Sequence, residues 1–335
     1  MTLKKEPKWE TVKLIPSLVI NITDNCNMRC VYCPPYGENL YQGKNEYDIT
    51  AIKTIIALAK KNHFRTVRLT GGEPLLEPRR LQTILEESGN SFERLVLNTN
   101  GLLLNEHFLW LEKYKNNIVL KISFDSIKPD EYETLTTSKE FPKVFMNIKT
   151  AVTLGFNVEI NTVLVNQSLE GIKQLLAYYA EHNVPLKFLT LSSYYGKIDK
   201  SICNFDLEGL LEYLDTISTN KKNEHLNDNR GISMLKYTIN NTTMFLVDHS
   251  SRSSKTPVKT YFDDCRKICN FFPCDCGVIS IFVNTDGVLS TCKGREGLGV
   301  NVFNKSETVI EDNFKLVLQL FENCIKIDLD NCGIN

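Results

Sequence analysis

Two rhythms of apolar and polar residues take turns along the first part of this chain. SLVINIT (17–23), TVRLT (66–70) and residues 94–99, 118–125, 157–165 and 185–191 read as short strands rich in Val, Ile, Leu and Thr. Between them apolar residues recur at helical spacing: Ile52, Ile55, Ile56 and Ala59 follow Thr50, which is placed to cap them, and further helices are expected near 79–87, 105–115, 142–154 and 168–182. Six strands alternating with helices predict parallel βα units.

Three of these strands carry one polar face. Leu120, Ile122 and Phe124 are expected to face helices, with Lys121, Ser123 and Asp125 pointing inward. Likewise Val67 and Leu69 oppose Arg68 and Thr70, and Val158, Ile160 and Thr162 alternate with Glu159 and Asn161. A closed barrel fills its interior with branched apolar side chains, and parallel sheets are covered on both faces. A polar inner face therefore predicts an interior that holds water or a ligand.

After about Leu191 the repeat stops. Residues 206–218 form one amphipathic helix, with Leu207, Leu210, Leu211, Leu214 and Ile217 on one side and Asp206 as cap. KKNEHLNDNR (221–230) is charged and apolar-poor, and is expected to be an exposed loop. Residues 231–264 give mixed strand signals, with a Ser- and Lys-rich loop at 250–259. VISIFVNTDGVLSTC then predicts two short strands around Thr285-Asp286-Gly287, where Asp-Gly favours a hairpin. The expected organisation is an α/β domain over 17–192 and a cysteine-rich α+β extension over 193–335.

Composition narrows the class. The 335 residues, 42% of them apolar, supply a large core, and 39 basic against 40 acidic residues leave a net charge of −1. No global field draws nucleic acid or an anionic membrane. The first sixteen residues lack the apolar core of a secretory signal, and no apolar run approaches the ~18 residues of a membrane span, so a cytoplasmic protein is expected. Eleven cysteines, eight of them grouped as 26/30/33 and 265/269/274/276/292, suit metal clusters in a reducing compartment better than disulfides.

Cys26, Cys30 and Cys33, in CNMRCVYC, stand on one tight loop directly after the first strand. Iron–sulfur clusters normally take four thiolates, so a loop that supplies three leaves one iron open to a further ligand. A structural zinc site is the alternative, but such sites usually pair one CxxC with a second, and none is near. A non-catalytic iron–sulfur or zinc protein stays open on these residues alone. The Gly71-Gly72-Glu73-Pro74 turn follows the second strand, where glycine lets backbone approach a ligand closely.

CxxxCxxC with an aromatic before its last cysteine resembles the cluster loop of the radical S-adenosylmethionine (SAM) superfamily. ITDNCNMRCVYCPP, RLTGGEPLL, NTNG and SFDS together resemble its molybdopterin-precursor cyclase (MoaA-like) branch, over roughly residues 17–192. The resemblance implies a partial (β/α)6 barrel and a [4Fe–4S] cluster on Cys26, Cys30 and Cys33 whose open iron chelates SAM. It implies SAM contacts at Tyr32, Gly71, Gly72, Glu73 and Ser123. Arg68 and Thr99 match substrate contacts, while Glu159 and Asn161 face the substrate from the fifth strand. A flavodoxin- or ferredoxin-type electron donor, oxygen sensitivity and a small-molecule or peptide substrate go with this chemistry.

Cys276, Gly287 and Cys292 resemble the opening of SPASM/twitch domains, which hold auxiliary clusters. One auxiliary [4Fe–4S] cluster is expected, with Cys276 and Cys292 as ligands joined by Cys269 and Cys274; a structural zinc is the alternative. The chain also departs from the cyclase pattern. Val19 stands where the branch has an arginine, Glu159 where it has a lysine, and Val278-Ile279-Ser280-Ile281 where arginines follow an auxiliary cysteine. Arg68 is then the one cation retained at the positions compared. A triphosphate needs several cations, so GTP is disfavoured and a peptide or other natural-product precursor is expected, with a GTP 3′,8-cyclase-like pterin-precursor enzyme of rearranged site as the alternative that the resemblance implies.

Overall fold

The computed structural model describes residues 16–33, 46–191, 204–227, 230–248, 280–291 and 299–330. Its first half is the expected alternation: β1 (Ser17–Asn21), α1 (Ile49–Lys61), β2 (Thr66–Thr70), α2 (Pro78–Ser88), β3 (Arg94–Thr99), α3 (Leu104–Leu111), β4 (Ile118–Ser123), α4 (Pro129–Thr136), α5 (Phe141–Thr153), β5 (Asn157–Leu164), α6 (Leu169–Glu181) and β6 (Leu186–Thr190). These six strands pair in parallel, each beside the next in sequence. The cap of α1 is Asp48 rather than Thr50: its Oδ1 accepts from the backbone N–H of Thr50 and Ala51, both at 3.0 Å.

Helix α4 was not legible in the apolar spacing, because its apolar residues are few; Pro129 in its first turn, followed by Asp130 and Glu131, is the signal that marks it. The charged stretch read as a loop is instead a strand. β7 (Asn220–Asn227) pairs antiparallel with β8 (Arg230–Ile239), which pairs with β9 (Thr242–Val247). Lysines suit an edge strand, where they discourage pairing with another chain, and β7 is an edge of the sheet. α7 (Leu207–Ile217) precedes it with the expected cap, Asp206 accepting from Gly209 N–H at 2.9 Å.

The hairpin of β10 (Ser280–Val283) and β11 (Val288–Ser290) forms around Thr285-Asp286-Gly287 as expected, followed by β12 (Val300–Asn301) and α8 (Glu307–Asp330). Among the described residues all strands join one sheet in the order β12-β11-β10-β1-β2-β3-β4-β5-β6-β9-β8-β7. The barrel is not closed. The segments after residue 192 extend the sheet at both ends, β9 running parallel to β6 and β10 parallel to β1.

The outer face of the sheet is the core. Leu18, Ile20, Val67, Leu69, Leu95, Leu97, Leu120, Ile122, Val158 and Ile160 are buried there with the apolar faces of the helices. α8 packs beside α1, with Phe314 fully buried and its ring 5.8 Å from that of Phe64. The opposite, inner face keeps the polar alternation expected of it: cross-strand partners in one row are Asn98, Lys121 and Glu159, and in the next Ser123, Asn161 and Lys187.

Candidate active site

The cysteine loop is built on backbone continuity between β1 and β2. Past the strand ends, Ile22 N–H donates to Thr70 O at 2.7 Å, Gly72 N–H to Thr23 O at 2.7 Å, and Glu73 N–H to Asn25 O at 2.8 Å. The two glycines are needed for this. Gly71 has φ +141°, and a Cβ there would lie 2.3 Å from Thr23 O; one on Gly72 would lie 2.1 Å from Asn25 O. Any side chain at either position would push the base of the loop off β2. These glycines serve the loop's backbone, whatever else approaches them.

The other side of the loop rests on α4. The last carbonyls of a helix have no partner within it. Here Leu135 O accepts from Val31 N–H at 2.9 Å and Thr136 O from Arg29 N–H at 3.3 Å, while the hydroxyl of Thr137 donates to Arg29 O at 3.0 Å. Met28 is buried and its Sδ meets the hydroxyl of Tyr132 at 3.8 Å. Arg29 folds back to donate to the carbonyls of Cys26 and Met28 at 2.6 and 3.0 Å.

Cys26 and Cys30 are partly buried and Cys33 is exposed. Burial pushes the Cys26 thiol up, and Glu73 adds to it, against a hydrogen bond from Met28 N–H and the nearby Asn100 and Arg29. Burial pushes Cys30 further, with Asp125 and the other two cysteines acting the same way. Two clustered thiols, Cys26 and Cys30, whose surroundings resist their ionisation call for a bound cation to hold them as thiolates.

The remaining candidate residues divide by height along the strands. At the C-terminal ends, Tyr32 donates its hydroxyl to Asp125, whose other oxygen accepts from Val163 N–H at 2.8 Å. Glu73 is fully buried: its Oε1 accepts from Leu75 N–H at 3.0 Å and from the Thr99 hydroxyl at 2.8 Å, and its Oε2 from Asn100 N–H at 2.7 Å. Burial outweighs those bonds and raises the Glu73 carboxyl to about 7. Thr99 in turn accepts from Gly101 N–H at 3.0 Å. The side chains of Glu73 and Thr99 are thus turned inward, and they hold the turn after β3. From it Asn100 Nδ2 reaches Asn27 at 2.6 Å and Cys26 Sγ at 3.8 Å. Ser123 ends β4 exposed. Lower down the inner face, Arg68 stands between Val19 and Val96, and Glu159 is bridged by Lys121 at 2.9 Å and by Arg94.

That bridge corrects the charge argument made from sequence. Burial pushes the Glu159 carboxyl up, but Lys121, Arg94 and Lys187 outweigh it and hold the carboxyl below the ordinary range. Lys121 lies close to Arg68 and Arg94 as well as Glu159, and its burial lowers it. Among the described residues, Arg68, Arg94, Lys121 and Lys187 therefore stand on the same face as Glu159, with Asp125 as a second carboxylate at the C-terminal end. Arg68 is not the only cation on this face, because strand pairing brings in lysines and an arginine that comparison of single positions passes over.

Residues 20–179 match the radical SAM superfamily. Those residues form a radical SAM domain. Its curated relatives include the GTP 3′,8-cyclase of Petrotoga mobilis, 36% identical over 154 residues that cover 45% of this chain and 47% of that protein. Another is molybdenum cofactor biosynthesis protein 1 of Drosophila melanogaster, 29% identical over 205 residues, 60% of this chain and 35% of that one. The chain spans about half the length of such relatives or less. A solved structure with this fold is Streptococcus suis SuiB bound to precursor peptide SuiA, with TM-score 0.62 and 17% identity, covering 89% of this chain and 65% of that one.

A radical SAM domain implies a [4Fe–4S] cluster and SAM, and the donor set fits. Among the described residues no three His, Cys, Asp or Glu converge as on a single ion. The three thiols are instead neighbours spaced along one loop, which suits a cluster in which each thiolate takes its own iron. Cys269, Cys274, Cys276 and Cys292, expected to hold an auxiliary cluster, lie outside the described residues. No helix among the described residues is long and apolar enough to cross a membrane. Sequence reading missed Asp125, Asn98, Lys121 and α4 as parts of the site. Lys121 and Asp125 were visible as inward-facing; their partners on other strands were not.

Proposed function

We propose that this chain is a radical SAM enzyme acting on an anionic nucleotide, with the GTP 3′,8-cyclisation named for its relatives as the reaction to test first. The observation that carries this reading is the cationic inner face, where Arg68, Arg94, Lys121 and Lys187 outnumber Glu159 and Asp125. An anion leaving water needs such offset charge. When bound at Cys26, Cys30 and Cys33, the cluster supplies the electron that splits SAM into methionine and a 5′-deoxyadenosyl radical, which abstracts hydrogen from the substrate.

The chain's own residues position and shield. The ladder through Gly71 and Gly72 and the end of α4 fix the cysteine loop from two sides. Asp125 ties Tyr32 to β5, and Glu73 orients Thr99 and Asn100, so Glu73, Thr99 and Tyr32 are assigned here as positioning residues. Ser123 and the backbone of Gly71-Gly72 remain the residues assigned to SAM. Residues 17–192 carry this chemistry, and 193–335 are proposed to hold one auxiliary cluster through Cys276 and Cys292 with Cys269 and Cys274. Reduction is assigned to a flavodoxin- or ferredoxin-type donor.

Modification of a peptide is the second reading, favoured by Val19 and Glu159 standing where the cyclase pattern has cations. Anaerobic incubation of the reconstituted protein with SAM, dithionite and GTP separates the two. The nucleotide reading expects 5′-deoxyadenosine released in step with GTP loss and a cyclised product by mass spectrometry. SAM cleavage with GTP untouched, and hydrogen loss from a peptide substrate instead, would replace it with the second.

A further inference from the structure

On the inner face of the site two buried acceptors, on Asn98 and Asn161, have no partner among the described residues. Asn98 donates from Nδ2 to the Thr70 hydroxyl at 3.3 Å, yet its Oδ1 is buried with no hydrogen-bond partner. Asn161 Oδ1 is buried and unpartnered as well. Buried side-chain oxygens in folded proteins nearly always have a donor, so two on one face need an explanation. No donor of the sheet reaches either oxygen. The side chain between Asn98 and Asn161 in the cross-strand pattern is Lys121, and its ammonium is engaged by Glu159 at 2.9 Å.

Register fixes the size of the missing partner. Asn98 is opposite Lys121, which is opposite Glu159, and Asn161 is the residue two positions beyond Glu159 on β5. Asn98 and Asn161 are therefore two strands and one inward-facing position apart, about 12 Å along the diagonal of the sheet. One ring edge does not span that distance, whereas a nucleoside does. Both orphans are acceptors, so the ligand must present N–H or O–H donors to each, and the cations between and beneath them suit an attached anionic group.

We propose that Asn98 and Asn161 are specificity-determining residues that accept hydrogen bonds from the nucleoside part of a nucleotide whose phosphates are offset by Lys121 and Arg68. This rests on the nucleotide reading of the site and adds which part of the molecule is read, and by what.

Equilibrium binding to the anaerobically reconstituted protein, without reductant, tests it with two probes, GTP and inorganic tripolyphosphate. Asn98→Leu and Asn161→Leu should each weaken GTP about tenfold, the size of one lost hydrogen bond with its desolvation, and leave tripolyphosphate unchanged. Lys121→Met should weaken both probes. Asn98→Ser and Asn161→Ser repeat the measurement in case a leucine disturbs folding, which thermal unfolding will show. GTP affinity unchanged in both asparagine variants would overturn the assignment and leave the nucleotide reading standing. An equal loss for both probes would also overturn it, because that is the mark of a merely structural role. Failure of the parent protein to bind GTP at all would instead remove the nucleotide reading, and this inference with it.

Discussion

Single side chains here act mostly through their neighbours. Glu73 shows this best: a carboxylate in a turn next to two glycines reads as a ligand contact, yet it is fully buried and shared among Leu75, Thr99 and Asn100. Its carboxyl is raised from 4.5 to about 7, so between those values the folded chain binds more proton than the unfolded one. Stability from this group is then greatest below pH 4.5 and is lost as pH rises through about 7, a change of about 3 kcal/mol at one pKa unit per 1.36 kcal/mol. Glu73→Gln should remove that slope. Denaturant unfolding of both proteins at several pH values between 4 and 8 checks it, and parallel profiles would show that Glu73 stays ionised throughout.

Among elements, α4 matters more to the cysteine loop than its length of eight residues suggests. Its C-terminal carbonyls hold the loop backbone, and Tyr132 anchors the helix by packing edge-on against Phe141, at 5.6 Å, and tilted against Phe124, at 5.5 Å, while touching Met28. Tyr132→Ala should cost about 3–5 kcal/mol, as for other buried aromatic truncations, and should loosen the loop with it. Iron retained after anaerobic reconstitution and desalting should fall in the variant while far-UV circular dichroism stays near that of the parent. Full iron retention would mean that α4 does not hold the loop in place.

At the scale of the molecule, the chain's last third is tied into the first. The Thr285 hydroxyl donates to Asp24, at 2.7 Å to one oxygen and 2.8 Å to the other, Asn21 Nδ2 donates to Asn284 at 3.2 Å, and Asn304 N–H donates to the capping Asp48 at 2.9 Å. β10 thus continues the sheet from the strand that delivers the cysteine loop. The auxiliary-cluster proposal belongs to this scale. Cys276→Ala combined with Cys292→Ala should lower bound iron by about four atoms, one cluster's worth, and leave 5′-deoxyadenosine formation largely intact. Unchanged iron would refute the auxiliary site, and loss of SAM cleavage together with iron would show that the extension also holds the first cluster's loop.

Local pattern alone settled a good deal: the βα alternation, the polar inner face, the cap of α7 and the hairpin, and the three-thiol loop, because each depends on residues close together in sequence. The cap of α1 is read two residues too late from the pattern, at Thr50, whereas Asp48 is the residue that accepts from the N–H groups of Thr50 and Ala51. Tertiary structure decided whatever depends on partners from other strands. The charge of the inner face turns on Lys121 and Arg94 meeting Glu159 from β4 and β3, and β7 is a strand only because β8 folds back beside it. Spacing along the chain carries no record of which strands become neighbours, so charge compensation, edge pairing and the docking of α4 under the cysteines became readable only once the sheet had formed.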